Sequence, residues 1–429
     1  MNLKKTAAIT LGKTIHKTTQ VLKIGGGSAA PGYYALKLYP NLVAELGRQI
    51  PKTVVITGTN GKTTTSRMLA QFAGAQGIKV IRNETGSNLE RGIASSLIHN
   101  SKFIIHNSVD LAIWELDEAA FNIVVPKINP DIIVFLNVFR DQLDRYGEVD
   151  TIVKKWGKTL SQVNPSVKIF LNGDDENLLE LQKSFKGEVK TFGVTDYKIA
   201  GEKRAQLRKK NDLDLEATNI QPQGLDITKF KVKNQNFTLP LPGTYHIYDF
   251  LAAFAVASEL GVSLGNIKSG LESFSPAFGR VEKLNLKDNK EGYIFLIKNP
   301  TGATQVIRTI QDQIKPEDRL LLALNDNLAD GTDVSWIWDT NFEDLGFRNI
   351  DLRIICSGIR AEDLALRLKY AGFDPKTLET EKDLQVAFHA SVKGLEGRLF
   401  ILPTYTALLK LQSILAKSGI KQYYWKEEK

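Results

Sequence analysis

Residues 54–72, VVITGTNGKTTTSRMLAQF, decide the fold of the amino-terminal part of the chain. The apolar run VVIT is typical of a buried strand, and KTTTSRMLAQF is typical of a helix. Between them lies a short loop whose glycines allow backbone N–H groups to approach phosphate oxygens closely. The start of a helix adds partial positive charge at the same point. The stretch therefore predicts a phosphate-binding loop at the carboxyl end of a parallel strand.

Two side chains of the loop have expected roles in addition to phosphate binding by the backbone N–H groups. Lys62 is expected to reach the terminal phosphates of a nucleotide, and the Thr63 hydroxyl is placed to bind Mg²⁺. An ordinary strand–turn–helix unit with an incidental lysine is the alternative, but four features coincide on the right elements. The residues expected to contact nucleotide are Gly58, Thr59, Asn60, Gly61, Lys62, Thr63 and Thr64.

Length and composition restrict the class of protein. A chain of 429 residues favours two or three domains. The formal net charge of +8 suits an anionic partner, although ordinary surface charge explains it equally well. No run of arginines alternating with aromatic residues indicates a nucleic-acid groove. The single cysteine, Cys356, excludes an internal disulfide and a thiolate zinc cluster, and fits a reducing cytoplasm.

The pattern of apolar segments predicts three regions. Residues 1–50 are predicted to form a basic helical lead-in. Strands and helices alternate over residues 51–283, which predicts that the phosphate loop belongs to an α/β domain with a doubly wound parallel sheet. A second alternating set over residues 284–429 predicts a smaller α/β domain. Residues 195–240 are polar and break the rhythm, as in a small antiparallel excursion or a mobile insert.

The spacing of the phosphate loop narrows the class further. Ile56 stands where a standard Walker loop has its first glycine, and the shorter form GTNGKTTT resembles the ATP loop of the Mur ligase superfamily. These enzymes join a carboxylate to an amine through an acyl phosphate. The resemblance implies that Glu115, in WELDEA, binds Mg²⁺, whereas alone it would be an ordinary strand-end acid. It also implies that Arg280 contacts the nucleotide phosphates.

Three longer segments are similar to the MurT subunits of lipid II isoglutaminyl synthase: NVFRDQLDRYGE, KNPTG and LNDNLADGTDVSWIWD. This resemblance implies ATP- and Mg²⁺-dependent amidation of the D-glutamate α-carboxylate of the lipid II stem peptide. Ammonia would come from a GatD-type glutaminase partner in a heterodimer. The site of action would be the cytoplasmic face of the cell membrane, where positive charge on the first helix would favour an anionic surface.

The same resemblance assigns catalytic roles to Lys62, Glu115 and Asp333. Asp333 is similar to the family aspartate that completes the partner's Cys–His pair as the orienting carboxylate of a triad. Capping of a helix that begins near Val334 is the structural alternative. Asp339 is a second candidate for the same role.

The chain departs from the family pattern in the middle domain. It lacks the four cysteines of a zinc ribbon, so no zinc site is expected, and residues 195–240 occupy that place. His246 and Asp249 stand where the family has nucleotide-binding asparagines, which leaves the base and ribose contacts open. Gln142 replaces a metal-binding histidine of many Mur ligases, as it does in the MurT type.

Two other functions remain compatible with the residues. An amino-acid-adding ligase of the folylpolyglutamate synthase type would consume an amino acid in place of ammonia. A non-catalytic nucleotide-binding scaffold would bind ATP without turnover, and the combination of Lys62, Thr63 and Glu115 argues against it.

Overall fold

The computed structural model describes residues 3–21, 29–83, 87–141, 148–194, 213–275, 281–343 and 352–421. Within these ranges the chain forms one sheet of nine strands and one of six, each flanked by helices. The nine-stranded sheet comes first in the sequence and carries the phosphate loop. The predicted α/β class, with a doubly wound nucleotide-binding domain followed by a smaller domain, is confirmed.

The first sheet has the strand order β2-β3-β1-β4-β5-β6-β7-β8-β9. Strands β1 to β7 pair in parallel, whereas β7-β8 and β8-β9 are antiparallel. The chain continues to β3 on one side of β1 and to β4 on the other, and in such sheets ligands bind at the carboxyl ends beside this switch point. The strands are β1 (Lys52–Thr57), β2 (Val80–Arg82), β3 (Leu111–Leu116), β4 (Ile132–Phe135), β5 (Lys168–Asn172), β6 (Val189–Val194), β7 (Leu215–Gln223), β8 (Ile227–Val232) and β9 (Gln235–Leu239).

Alternate side chains of the central strand enter two different cores. Val54 and Ile56 pack in one cluster with Phe72 and Phe250, and Val55 packs in the opposite cluster. Burial on both faces explains why β1 is a continuous apolar run. The described α-helices of this domain are α1 (Leu3–Val21), α2 (Ala30–Leu38), α3 (Leu42–Gly47), α4 (Lys62–Ala75), α5 (Glu90–His99), α6 (Ser101–Ile105), α7 (Glu118–Ile128), α8 (Val149–Leu160), α9 (Glu176–Leu179), α10 (Tyr245–Glu259) and α11 (Leu264–Glu272).

Residues 213–240 and the residues that follow β3 both form regular secondary structure. The polar residues 213–240 contain β7, β8 and β9, which extend the main sheet as an antiparallel edge. The predicted antiparallel excursion is therefore correct for these residues, and residues 195–212 lie outside the described ranges. After β3, Asp117 is the N-cap of α7 and its side chain accepts the Ala119 and Ala120 N–H groups.

The second sheet has the order β10-β11-β15-β12-β13-β14, with only the β10-β11 pair antiparallel. The predicted domain boundary at residues 283/284 falls inside β10, and it stays a prediction. The elements are β10 (Glu282–Asn285), β11 (Glu291–Ile294), α12 (Pro300–Gln311), β12 (Arg319–Ala323), β13 (Arg353–Ser357), α13 (Ala361–Tyr370), β14 (Leu378–Glu381), α14 (Leu384–Val392), β15 (Leu399–Pro403) and α15 (Tyr405–Lys417).

In the part of the chain that the structure describes, no helix has the length and apolar content required to cross a membrane.

Candidate active site

The phosphate loop leaves β1 and enters α4 through two glycines with positive φ, Gly58 at 141° and Gly61 at 89°. Any other L-residue would be strained at these angles. Space is also limiting, because a Cβ at Gly61 would lie 2.1 Å from Asp249 Oδ1 and a Cβ at Gly58 would lie 2.9 Å from the Asn137 carbonyl oxygen. The loop therefore needs glycine at both positions for backbone conformation and for close packing.

Asn137, which follows β4, holds the loop in place. The Thr59 N–H donates to the Asn137 carbonyl at 3.0 Å. The Asn60 N–H donates to Asn137 Oδ1 at 2.8 Å, and Asn137 Nδ2 donates back to the Asn60 carbonyl at 3.0 Å. Because β1 and β4 are neighbours in the sheet, this asparagine fixes the loop from the adjacent strand end.

Lys62 is a buried cation at the first position of α4. Its Nζ donates to the Gly58 carbonyl and, at 3.2 Å, to the Thr59 carbonyl. Burial lowers the pKa of this ammonium group. Two carbonyls offset only part of the cost of burying a charge, so an anion beside the loop would be favourable here.

Thr63 and Glu115, the two residues expected to bind Mg²⁺, lie together beneath the loop. Thr63 Oγ1 donates to Glu115 Oε2 at 2.8 Å, and Ser66 Oγ donates to the other carboxylate oxygen. Asn83 fixes the glutamate backbone by accepting its N–H at 2.8 Å. Glu115 is 2% exposed, so it is a positioned acid and not an ordinary solvated one.

Oxygen ligands of this kind fit Mg²⁺, which usually takes one or two protein oxygens and completes its octahedron with water and phosphate. The Thr63 hydroxyl and the Glu115 carboxylate supply such a pair next to the phosphate loop. Within the described ranges, no group of three or more His, Cys, Asp or Glu side chains is arranged to hold a metal. The expectation that the chain has no zinc site stays a prediction.

The second domain closes the cleft from the opposite side, through the segment KNPTG. Asn299 caps α12 by accepting the Gly302 N–H, and its side-chain amide exchanges hydrogen bonds with that of Asn60 at 3.0 and 3.2 Å. Lys298 Nζ donates to the Thr59 carbonyl at 3.2 Å and to Asp141 Oδ2 at 3.0 Å. Sequence reasoning used KNPTG only as a family signature and missed Lys298 and Asn299 as site residues, although a conspicuous Lys-Asn-Pro before a helix was the available signal.

His246 and Asp249 lie on the first turn of α10 and face the same cleft. His246 Nδ1 is 3.0 Å from Asp249 Oδ2, and Asp249 Oδ1 accepts from Thr65 Oγ1 at 3.4 Å. Both side chains line a pocket together with Asn60, Gly61 and residues of α12. The structure therefore brings the two departures from the family pattern against the phosphate loop, where they can contact a nucleotide.

Asp333 and Asp339 flank a 3₁₀ turn, Ser335–Trp338, in the second domain. Asp333 Oδ1 accepts the Ser335 N–H at 2.8 Å, so its side chain bonds the first residue of the turn, whose N-cap is Val334. Hydrogen bonds from the Ser335 hydroxyl and then its backbone hold the pKa of Asp333 below its usual range. Asp339 instead pairs with Arg140 at 2.6 Å across the domains, so its carboxylate is already engaged.

Two predicted residues lie outside the described ranges: Arg280 and Gln142.

Asp175 is a residue of the cleft that the sequence analysis did not predict. It caps α9 and accepts the Val138 N–H at 2.8 Å, and it lines the part of the cleft that contains Arg140 and Asp339. Burial raises the pKa of Asp175 to about 6. Only the position of Asp175 in NGDD, at the end of a strand, could have indicated from the sequence that it lies in the cleft.

Asp175→Asn is expected to change the pH dependence of stability. Because the folded-state pKa is raised, Asp175 favours folding when protonated, and this contribution is lost as the pH rises from about 4 to about 6. The free energy of unfolding of the variant relative to the parent should therefore increase by roughly 2–3 kcal/mol between about pH 4 and pH 7. Urea denaturation at several pH values measures it.

Asp383→Asn is the matched control, because Asp383 is an exposed N-cap, at the start of α14. Backbone hydrogen bonds, chiefly from Val386, lower its pKa, so its contribution is present above the unfolded pKa and is lost as the pH falls. The relative stability of this variant should therefore change with pH in the opposite direction. Parallel curves for the two variants would contradict the assignment.

Two family models match this chain. The Mur ligase middle domain matches residues 56–257, and the MurT ligase C-terminal domain matches residues 296–408. The first match contains the phosphate loop, Glu115 and the start of α10, and the second contains KNPTG and the two aspartates of the 3₁₀ turn.

Curated relatives match along almost the entire chain. Lipid II isoglutaminyl synthase (glutamine-hydrolyzing) subunit MurT of Staphylococcus aureus strain COL is 30% identical over 97% of this chain and 99% of its own. The chain belongs to the MurT family. The same subunit of Streptococcus pneumoniae is 31% identical to this MurT-family chain, over 98% of this chain and 99% of its own. The chain is accordingly an ATP-dependent ligase of the Mur type.

Solved structures agree on the fold. MurF from Acinetobacter baumannii matches this MurT-family chain with a TM-score of 0.68 at 19% identity, covering 90% of this chain and 80% of that one. Folylpolyglutamate synthase of Mycobacterium tuberculosis, complexed with ADP and AMPPCP, matches with a TM-score of 0.64 at 15% identity, covering 89% and 93%. At these identities the likeness concerns the fold alone.

Proposed function

We propose that this MurT-family protein amidates the D-glutamate α-carboxylate of the lipid II stem peptide, using ATP and ammonia from a glutaminase partner. The observation that carries the proposal is the buried arrangement of Lys62, Thr63 and Glu115 under a cleft that both domains line. The near full-length similarity to subunits named lipid II isoglutaminyl synthase supports the choice of substrate and product.

The first chemical step would transfer the terminal phosphoryl group of ATP to the carboxylate. A carboxylate is a poor electrophile, and phosphorylation provides a leaving group. Lys62 would offset negative charge on the phosphoryl group in flight, and the backbone N–H groups at the start of α4 would bind its oxygens. Lys298, which lies 3.2 Å from the Thr59 carbonyl, is placed to add a second positive charge from the other domain.

Thr63 and Glu115 would hold Mg²⁺, which would supply Lewis-acid stabilisation of the negative charge on the phosphates. Asn83 fixes the Glu115 backbone and Ser66 donates to the Glu115 carboxylate, which would keep the donor oxygens in place before the metal arrives. His246 and Asp249 would contact the nucleotide from α10, as their position beside Gly61 supports.

Ammonia would then attack the acyl phosphate carbon, displace phosphate and lose a proton, which leaves the amide. Glutamine hydrolysis needs a nucleophile, and burial raises the pKa of the chain's single thiol, Cys356, to about 12. A GatD-type partner subunit would therefore supply the ammonia, and Asp333 would orient the histidine of that partner's Cys–His pair. The complex would work at the inner face of the cell membrane, where lipid II is made available.

The fate of the carboxylate oxygen tests this mechanism. A lipid II substrate carrying isotopically heavy oxygen in the D-glutamate α-carboxylate should deliver one heavy oxygen to inorganic phosphate for each amide formed. Phosphorus NMR or mass spectrometry of the released phosphate measures this. Heavy oxygen in AMP, or none in phosphate, would rule out an acyl phosphate.

Glu115→Gln is expected to raise the Mg²⁺ concentration at half-maximal rate by about tenfold or more, because one charged oxygen ligand is lost. A magnesium titration of the amidation rate at saturating ATP measures the change. Glu379→Gln is the matched control, since it makes the same chemical change at an exposed carboxylate that pairs with Arg353 in the second domain and is not assigned as a ligand. An equal shift in both variants would reduce Glu115 to a structural role.

A further inference from the structure

The first two helices carry most of the net positive charge of the chain. Residues 1–44 contain six lysines and no aspartate or glutamate, whereas all 429 residues together have a formal net charge of +8. Lys4 and Lys17 on α1 and Lys37 on α2 are exposed. Positive charge concentrated on two neighbouring helices attracts an anionic surface, and salt weakens the attraction.

Helix α2 turns two tyrosines and a leucine towards solvent. Tyr33, Tyr34 and Leu38 are 41%, 49% and 42% exposed. The two rings meet edge to face with their centroids 5.3 Å apart, and Lys37 Nζ lies 4.6 Å from the centroid of the Tyr33 ring. Because these four residues are spaced i, i+1, i+4 and i+5, they share one side of the helix, which is called the α2 face here. Aromatic rings next to lysine are typical of helix faces that lie in the head-group region of a membrane.

Helix α1 adds further exposed apolar side chains. Leu3 and Leu11 are 83% and 39% exposed, and Ala7, halfway between them, is exposed as well. A spacing of four residues puts all three on one side of α1. Of the sixteen large apolar side chains that are exposed in the described ranges, five lie on α1 and α2. Exposed apolar area and positive charge are therefore concentrated on the same two helices, which indicates an interaction surface.

The opposite sides of both helices are fixed against α5 by close approach at glycine. The Gly32 N–H donates to Ser95 Oγ at 2.8 Å, and a Cβ at Gly32 would lie 1.9 Å from the Arg91 carbonyl oxygen. A Cβ at Gly12 would lie 2.7 Å from Ile98 Cδ1. The buried sides of α1 and α2 are thus packed in one orientation. A surface that is ordered before binding loses less entropy on docking.

Helix α5 also connects this surface to the candidate active site. A Cβ at Gly92 would lie 2.1 Å from the Ser87 carbonyl oxygen, and that oxygen accepts from Asn83 Nδ2 at 2.8 Å. Asn83 in turn accepts the Glu115 N–H at 2.8 Å. The start of α5, on which α2 packs, is therefore two residues away from the glutamate assigned to Mg²⁺. A membrane against α2 would hold a lipid-anchored substrate beside the domain that binds phosphate.

We propose that α1 and α2 dock on a bilayer that contains anionic phospholipids, with the rings of the α2 face among the head groups and the exposed lysines against lipid phosphates. This inference rests on the proposed function, because a lipid-anchored substrate is met at such a surface. Charge and apolar contact are each weak alone, and their combination is typical of reversible peripheral binding.

The test measures binding of the purified chain to vesicles of phosphatidylglycerol and phosphatidylcholine, without nucleotide, substrate or partner. The combined variant Lys4→Ala, Lys17→Ala and Lys37→Ala should bind these vesicles about 100-fold more weakly at low salt, and the difference from the parent should shrink at high salt. The combined variant Tyr34→Ser and Leu38→Ser should bind about tenfold more weakly.

The second domain offers a matched control for each variant. Lys369→Ala, Lys376→Ala and Lys393→Ala together remove three exposed lysines there. Leu366→Ser with Tyr370→Ser repeats the tyrosine and leucine change at the same spacing on α13, where both side chains are exposed and Tyr370 also meets another ring edge to face. Both control variants should bind vesicles as the parent does.

Amidation with ammonium chloride separates this inference from the proposed function. With lipid II in the same vesicles, both variants of α1 and α2 should react more slowly than the parent. With a short-chain, water-soluble analogue of lipid II they should react at the parent rate, because the phosphate loop is untouched. Absence of amidation in the parent with either substrate would contradict the proposed function, while the vesicle measurement would still judge the docking surface.

Four outcomes would overturn the inference. Parent-like vesicle binding in both variants of α1 and α2 would remove these helices from the membrane contact. Equal weakening in the control variants would reduce the binding to the overall composition of the surface. Binding only to vesicles that contain lipid II would assign the surface to the head group of the substrate. Loss of self-association in the α2 variant, with vesicle binding intact, would assign the α2 face to a second copy of the chain.

Discussion

Lys62→Ala is expected to lower the rate of ATP-dependent amide formation by about 10³-fold or more. Lys62 is the buried cation at the start of α4, and its ammonium group is held against the carbonyls of the phosphate loop. Alanine removes the charge that offsets the phosphoryl group in flight and leaves the backbone N–H groups in place. The loss should therefore be larger in kcat than in nucleotide affinity, as steady-state kinetics and ADP titration measure.

Lys52→Ala provides the control for this change. Lys52 lies at the start of β1, the strand that leads into the phosphate loop, and its exposed side chain pairs with Asp131 at 3.1 Å. An exposed ion pair of this kind contributes at most about 1 kcal/mol to the free energy of unfolding, and Lys52 is not assigned to the phosphate site. The amidation rate of Lys52→Ala should therefore stay within about twofold of the parent rate. Retention of more than a tenth of the parent rate in Lys62→Ala would contradict the assignment of Lys62 to phosphoryl transfer.

Asp333→Asn is expected to abolish glutamine-dependent amidation by the complex, by about 10³-fold, while ammonium-dependent amidation continues at the parent rate. The carboxylate that would orient the partner's histidine is lost, but the phosphate loop and the cleft are untouched. Asparagine keeps an oxygen that can accept the Ser335 N–H, so the turn should remain folded. Parallel assays with glutamine and with ammonium chloride measure the two activities.

Asp339→Asn separates the two aspartates that the sequence left as candidates. Its carboxylate is paired with Arg140, so its loss should weaken a contact between the domains and lower both activities to the same modest extent. Selective loss of glutamine use in Asp339→Asn, with Asp333→Asn unaffected, would exchange the two roles. Equal loss of both activities in Asp333→Asn would assign Asp333 to a structural role.

Apolar patterns in the sequence predicted the strands and helices that bury one or both faces in a hydrophobic core. The run VVIT and the glycines after it were enough to predict the phosphate loop, because the strand, the loop and the helix are adjacent in sequence. The positive φ angles of the loop require glycine, and the sequence shows those glycines directly. The role of Glu115 was implied by the resemblance to the Mur ligases and not by its own segment, and its carboxylate lies 2.8 Å from the Thr63 hydroxyl. The phosphate-loop prediction, in contrast, depended on one short segment.

The parts that were missed depend on contacts between distant segments. The exchange between Asn60 and Asn299 joins residues 239 positions apart, and Lys298 reaches Thr59 over the same separation. The raised pKa of Asp175 arises from burial, which its neighbours in sequence do not reveal. The strand β14 was missed because LETE has no apolar run, and it pairs as a half-exposed edge of the sheet.

The central claim is that the chain converts a carboxylate of lipid II to an amide with ATP and ammonia. The most direct measurement incubates the purified chain with lipid II, Mg·ATP and ammonium chloride and follows the substrate by mass spectrometry. The account predicts replacement of one stem-peptide hydroxyl by an amino group, with one ADP released per amide and no reaction in Lys62→Ala. Bound ATP without amide, even with a glutaminase partner present, or addition of an amino acid in place of ammonia, would contradict it.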